Sequence, residues 1–194
     1  LPVIAPAARK NFMFTLAMGR TAGKSEAIRQ YRLAAWENFK SKPIPQSPDE
    51  AWRRTDLHTM QPESFKIPEP GAHFQLAAPP EELLRPLTAE TQGGQVLLLA
   101  GGSQVSLNSD LVAKGVVFTD LVTAEREHPE LLVKIMGKIV HPNEGKFAGL
   151  AGALAQDGVL LYVPRNVIVE QPLQSLLWGP GVGLAYITHL LVYL

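Results

Sequence analysis

The sequence predicts an α+β chain: a helical and proline-rich first part, a small mixed α/β part, and a closing series of short strands. Three observations carry this expectation. Residues 25–40 hold a capped, amphipathic helical pattern, and prolines crowd residues 43–80. From residue 157 to 194, strand-sized β-branched and aromatic segments follow one another, punctuated by Gly158, Pro164, Pro172 and the glycines from Gly179 to Gly183. Strands so closely spaced, with no helix between them, suggest a stack of short sheet rungs or a sandwich. The expected divisions are residues 1–90, 91–157 and 158–194.

Each element has a local reason. Ser25 is a good N-cap and Glu26 suits the first turn of a helix over residues 25–40. Ile28, Tyr31, Ala35 and Phe39 fall at spacings of three and four and line one face. Pro43 and Pro45 prevent its continuation. In the irregular stretch that follows, Trp52 is expected to anchor the segment by burying its indole, a residue type whose truncation in a core costs about 3–5 kcal/mol. Residues 81–87 suit a short helix. Val96 to Ala100 reads as a strand, Gly101-Gly102 as a hairpin turn, and Gln104 to Leu107 as the returning strand. Residues 116–119 form another strand. Pro129, near a first turn, and Gly137, at an end, bracket a helix over residues 129–136. Residues 144–156 form a second helix of Ala, Leu and Phe, and Asp157-Gly158 turns the chain into the terminal strands.

Composition excludes several function classes. Lys plus Arg number 18 and Asp plus Glu number 18, so no charge excess favours nucleic acid or anionic lipid. There is no cysteine, which removes disulfides and thiolate metal sites from this segment. Arg9-Lys10 ahead of the apolar run from Phe12 to Met18 faintly resembles a signal peptide, but the run is short. Residues 171–194 carry no Asp, Glu, Lys or Arg. A spanning helix needs about 20 apolar residues, and Gly179-Pro180-Gly181-Val182-Gly183 would break one. Buried strands account for the missing charge.

Few residue patterns suggest chemistry. Gly19-Arg20-Thr21-Ala22-Gly23-Lys24-Ser25 opens a helix, as a phosphate-binding P-loop does, and Val116 to Asp120 resembles the strand that ends in a magnesium-linked Asp. The P-loop needs four residues between its first Gly and Gly-Lys-Ser, however, and Gly19 leaves three, with Met18 standing where the glycine belongs. Specific Mg-ATP binding is therefore not expected. His58, His73, His128, His141 and His189 form no metal-ligand spacing. Ser103 and Ser106 follow Gly-Gly without making a nucleophile elbow. Asp49, Glu50 and Asp56 beside Arg53 and Arg54 read as a local ion-pair network. Tyr162, Trp178, Tyr186 and Tyr193 are expected to pack rather than to line a ligand groove.

Several motifs resemble the SufB/SufD family, and its SufD branch in particular. They are Tyr31-Arg32-Leu33-Ala34-Ala35-Trp36-Glu37-Asn38-Phe39, Asp49-Glu50-Ala51-Trp52-Arg53-Arg54-Thr55-Asp56-Leu57, and Gly115-Val116-Val117-Phe118-Thr119-Asp120-Leu121 with His128-Pro129-Glu130-Leu131 behind it. Lys146-Phe147-Ala148-Gly149-Leu150-Ala151-Gly152-Ala153-Leu154, followed by Asp157-Gly158-Val159-Leu160-Leu161-Tyr162-Val163-Pro164, completes the series in the same order. The resemblance implies a non-catalytic scaffold subunit for iron–sulfur cluster assembly in the cytoplasm. It implies a helical N-terminal region and then the first rungs of a right-handed parallel β-helix. SufB-like and SufC-like subunits are the implied partners, with the ATPase activity supplied by SufC.

Cluster-related residues and SufC-binding helices are implied to lie beyond Leu194, in a longer protein. No catalytic, cofactor-binding or metal-binding position is therefore assigned here, and no bound cluster is expected. Residues 190–194 are expected to form an apolar strand with an open edge, through which the chain would self-associate. The rival readings are a P-loop-like nucleotide-binding protein and a generic β-helix ligand-binding module.

Overall fold

Ser25 starts the first long element: its hydroxyl oxygen accepts from the Ile28 amide, and α1 runs from Glu26–Ser41. The computed structural model describes residues 11–18, 25–46, 49–85, 92–155, 157–179 and 181–194. The glycine-rich loop weighed above as a P-loop lies, in residues 19–24, outside the described residues. After α1 the chain is irregular, with single 3-10 turns at Glu50–Trp52, Pro62–Ser64 and Ala72–Gln75, and a four-residue α2 at Glu81–Leu84. Then come β1 (Gly94–Leu99), β2 (Gly102–Leu107), α3 (Ser109–Ala113), β3 (Val117–Asp120), α4 (Leu121–Glu127), α5 (Pro129–Ile135) and α6 (Lys146–Leu154). β4 (Asp157–Tyr162), β5 (Leu173–Trp178) and β6 (Thr188–Tyr193) follow.

The strands form two three-stranded sheets, ordered β2-β1-β5 and β3-β4-β6. Each combines one antiparallel and one parallel pair. β1 folds back on β2 through the expected hairpin, with Gly94 opposite Leu107, and pairs in parallel with β5, Gly94 opposite Leu173. β3 runs antiparallel to β4, and β4 runs parallel to β6, with Asp157 opposite Thr188. From β4 onward the chain alternates between sheets, β4 in the second, β5 in the first and β6 in the second again. Both sheets cross the 157/158 boundary expected from sequence, since β1 and β3 pair with or beside strands from the last part. Gly101 turns the hairpin at φ +83, a left-handed conformation, and a Cβ there would collide with the Glu69 carbonyl oxygen.

Three apolar clusters hold these layers together. Val96 and Leu98 of β1 meet Phe118 of β3 and Val159 of β4, so the sheets pack on each other. Ile28, Leu121, Ala124, Leu131, Leu132 and Leu160 join α1, α4 and α5 to β4. Ala35 and Phe39 of α1 meet Leu150, Ala153 and Leu154 of α6. α1 and α6 approach closely because Gly149 has no side chain: a Cβ there would stand 2.8 Å from the Phe39 amide nitrogen.

Two expectations about burial need correction. The charge-free stretch 171–194 is not a set of buried strands: no described residue in it is fully buried, and Leu177, Leu190 and Val192 are exposed. The reason is topological, because β5 and β6 each stand at an edge of a three-stranded sheet and are paired on one side only. Trp52 is half-buried, and its indole lies 5.2 Å from the Phe147 ring. It does anchor the proline-rich segment to α6, but through one face. Trp52→Ala is therefore expected to cost about 1–2 kcal/mol, an aromatic pair plus partial burial. A urea titration checks this, and a loss of about 4 kcal/mol would show a core position instead.

Candidate functional site

Three polar constellations stand out. The first is a cleft of about 810 Å³ between the C-terminal end of α1 and the segment that follows it. Lys40 and Lys42 close α1, Ile44, Leu57 and Met60 give apolar walls, and Lys146 belongs to the lining as well. Lys146 is the first residue of α6, and packing against α1 leaves it 3% exposed. Its ammonium donates to the Phe39 carbonyl oxygen at 2.8 Å and lies 4.1 Å from the centre of the Phe39 ring. Burial holds its pKa below the ordinary lysine value. The acids of the cleft are engaged locally: an Asp49 carboxylate oxygen accepts from the Gln46 amide, and Asp56 bonds both the amide and the ring of His58.

The second is a cavity of about 240 Å³ where the β1–β2 turn, the start of α4 and residues 185–187 meet. Two nearly buried carboxylates line it, Asp120 and Asp157. Asp120 is spent as the N-cap of α4, its oxygen accepting from the Thr123 amide at 2.9 Å, and an Asp157 oxygen accepts from the Gly158 amide. Tyr186 also lines the cavity, and burial, aided by the Asp157 charge, raises its phenol pKa.

The third lies within the core. Arg32 of α1 and Glu125 of α4 form an ion pair at 3.1 Å with side chains 7% and 3% exposed. The guanidinium also donates to the Ala155 carbonyl at 3.0 Å. His189 of β6 lies close enough to feel this charge: burial first, and the Arg32 cation second, push its pKa down to about 4, with the Ala151 backbone acting weakly the other way.

The titration of His189 has a definite sign. An unfolded histidine takes up its proton near pH 6.5, and the folded one only near pH 4. Between these values the unfolded state binds more protons, so stability present above pH 6.5 is lost as pH falls toward 4. The urea midpoint is expected to drop more between pH 7.5 and pH 5 in the wild type than in His189→Gln. Equal drops in both proteins would show that His189 does not contribute.

The sequence-singled residues do not converge. His58 pairs with Asp56 at the surface, His128 joins α4 to α5, His141 is exposed, and His189 stands on β6, while the His73 side chain lies outside the described residues. Among the described residues no group of three or more His, Cys, Asp or Glu is arranged to hold a metal. Ser103 and Ser106 are exposed on β2. Arg53 pairs with Glu50 at 3.4 Å, an exposed helical-spacing contact of the expected kind. Tyr162 and Tyr193 pack with ring centres 5.4 Å apart and planes tilted by 42° across β4 and β6, and the Trp178 indole donates to the Ala77 carbonyl at 2.8 Å. Arg32, Glu125 and Lys146 were not singled out by sequence, where each reads as an ordinary helix charge. No helix among the described residues is long and apolar enough to cross a membrane.

Comparison with known proteins adds what the geometry does not contain. A model of the family described as the SufBD protein N-terminal region matches residues 19–175. The iron-sulfur cluster assembly protein SufD of Bacillus subtilis is 41% identical over 91 residues, which cover 46% of this chain and 21% of that protein. SufB of the same organism is 37% identical over 70 residues, 36% of this chain and 15% of the relative. An iron-sulfur cluster assembly SufBD family protein of Mycobacterium bovis is 38% identical over 69 residues, 36% of this chain and 8% of the relative. The matches thus span about a fifth or less of the length of these relatives.

Proposed function

The chain belongs to the SufB/SufD family, whose N-terminal region it matches over residues 19–175, and from that membership we propose that it is the N-terminal part of a SufD-like scaffold subunit for iron–sulfur cluster assembly. The observation that carries this is the SufD match, both longer and higher in identity than the SufB match, at 91 against 70 residues and 41% against 37%. In this reading the protein catalyses no reaction itself, works in the cytoplasm, and acts in a complex with SufB-like and SufC-like subunits.

We also propose that the last strands open a right-handed parallel β-helix. Alternation of β4, β5 and β6 between two sheets, with β5 added in parallel to β1 and β6 in parallel to β4, is the observation that supports this reading. Neither rival reading, nucleotide binding or a generic ligand module, gains support from the comparisons.

Affinity purification of the full-length protein from its own host, followed by mass spectrometry, tests the partnership. Stoichiometric recovery of a SufB-like and a SufC-like subunit is expected. Recovery of the protein free of both, under conditions that preserve an endogenous control complex, overturns it.

A further inference from the structure

We propose that the cleft beside the C-terminal end of α1 binds a small metabolite bearing an oxyanion, a carboxylate or a phosphate, which rests against the Lys146 ammonium. The inference goes beyond the scaffold role and rests on a charge imbalance. A buried cation is normally balanced by a carboxylate, and Arg32 has Glu125. Lys146 is as deeply buried and has no ion pair among the described residues. Among the described residues its contacts are one carbonyl oxygen and one aromatic face, whereas an ammonium carries three N–H donors.

Its position adds to the imbalance. Lys146 opens a nine-residue helix, where the macrodipole disfavours a cation, and the N-cap is Gly145, which supplies no capping side chain. An anion in the cleft would offset the buried charge and suit the helix end at once. The neighbouring groups agree. Lys42 lines the same cleft without an ion pair among the described residues, and the three lysines of the lining, Lys40, Lys42 and Lys146, outnumber its two carboxylates, Asp49 and Asp56. A volume of about 810 Å³ fits a small organic molecule, and Ile44, Leu57 and Met60 would cover an apolar body.

The test is calorimetric titration of the 194-residue chain with sodium phosphate and, separately, sodium succinate, ionic strength being held constant with sodium chloride. Saturable one-to-one binding of at least one of the two is expected. Phosphate alone, or succinate alone, identifies the class of oxyanion. Lys146→Met is expected to weaken binding at least tenfold and Lys42→Met severalfold, with the exposed control Lys114→Met unchanged. Should Lys146→Met fail to fold, the Lys42→Met result decides together with the wild-type Lys146 ε-methylene NMR signal, which shifts on saturation with the bound anion. No saturable binding of either anion, or binding unaltered in Lys42→Met with a static Lys146 signal, overturns the proposal, as does a folded Lys146→Met that binds like wild type.

Discussion

Arg32→Ala is expected to destabilise the chain by about 3–5 kcal/mol, the cost of breaking a buried ion pair from one side. The pair joins α1 to α4 across 93 positions of sequence, and both side chains are almost fully removed from water. Burial lowers the Arg32 pKa, and the Glu125 carboxylate works against that fall. Without the guanidinium, Glu125 stays in a low-dielectric site with no cation, and the Ala155 carbonyl loses its donor. The loss comes from the stranded charge rather than from a strong favourable bond. The double replacement Arg32→Met with Glu125→Leu is accordingly expected to recover most of it, since well-packed apolar groups often match a buried pair. Urea unfolding of the single and double variants gives both numbers. A single-variant loss below about 1 kcal/mol, the scale of an exposed pair, would contradict the buried geometry.

Phe39→Ala is expected to cost a comparable amount, about 3–5 kcal/mol, for a different reason. Phe39 is 3% exposed and sits where α1 crosses α6. Its ring lies 5.2 Å from Trp36 and 6.1 Å from Phe12, and its face carries the Lys146 ammonium. Truncation opens a cavity that α1 cannot close by moving inward, because Gly149 already lets the helix backbones approach as far as they can. It also removes the aromatic contact of a buried cation. Phe39→Leu fills much of the space and is expected to cost less. Equal stability of Phe39→Ala and wild type in urea would show that α1 is not docked on α6 as described.

The fold was legible wherever its causes were local. The Ser25 cap and the spacing of Ile28, Ala35 and Phe39 define α1, and Gly101-Gly102 defines the β1–β2 hairpin. Helices α3 and α4 escaped notice because they are short, five and seven residues, and show too little periodicity to separate from loop. Their caps, Asn108 and Asp120, were the available signal. Contacts distant in sequence left no mark. Nothing near Lys146 reveals that Phe39, 107 positions earlier, buries it, and nothing near Leu173 reveals that β5 ends a sheet. Reading the uncharged stretch 171–194 as buried failed for that reason, since hydropathy reports composition and not the number of neighbours. The SufB/SufD resemblance was legible because several motifs recur in order, a signal that needs no knowledge of packing. No catalytic constellation was legible, and among the described residues none of the sequence-singled groups comes together as one.

Depletion of the full-length protein in its own host tests the scaffold role most directly, with the specific activities of aconitase, which needs an iron–sulfur cluster, and malate dehydrogenase, which does not, measured side by side. A scaffold subunit of cluster assembly predicts a severalfold fall in aconitase activity with malate dehydrogenase unchanged, both restored to normal levels by re-expression. Aconitase activity that holds steady through depletion, or that falls only in step with malate dehydrogenase, would contradict that role.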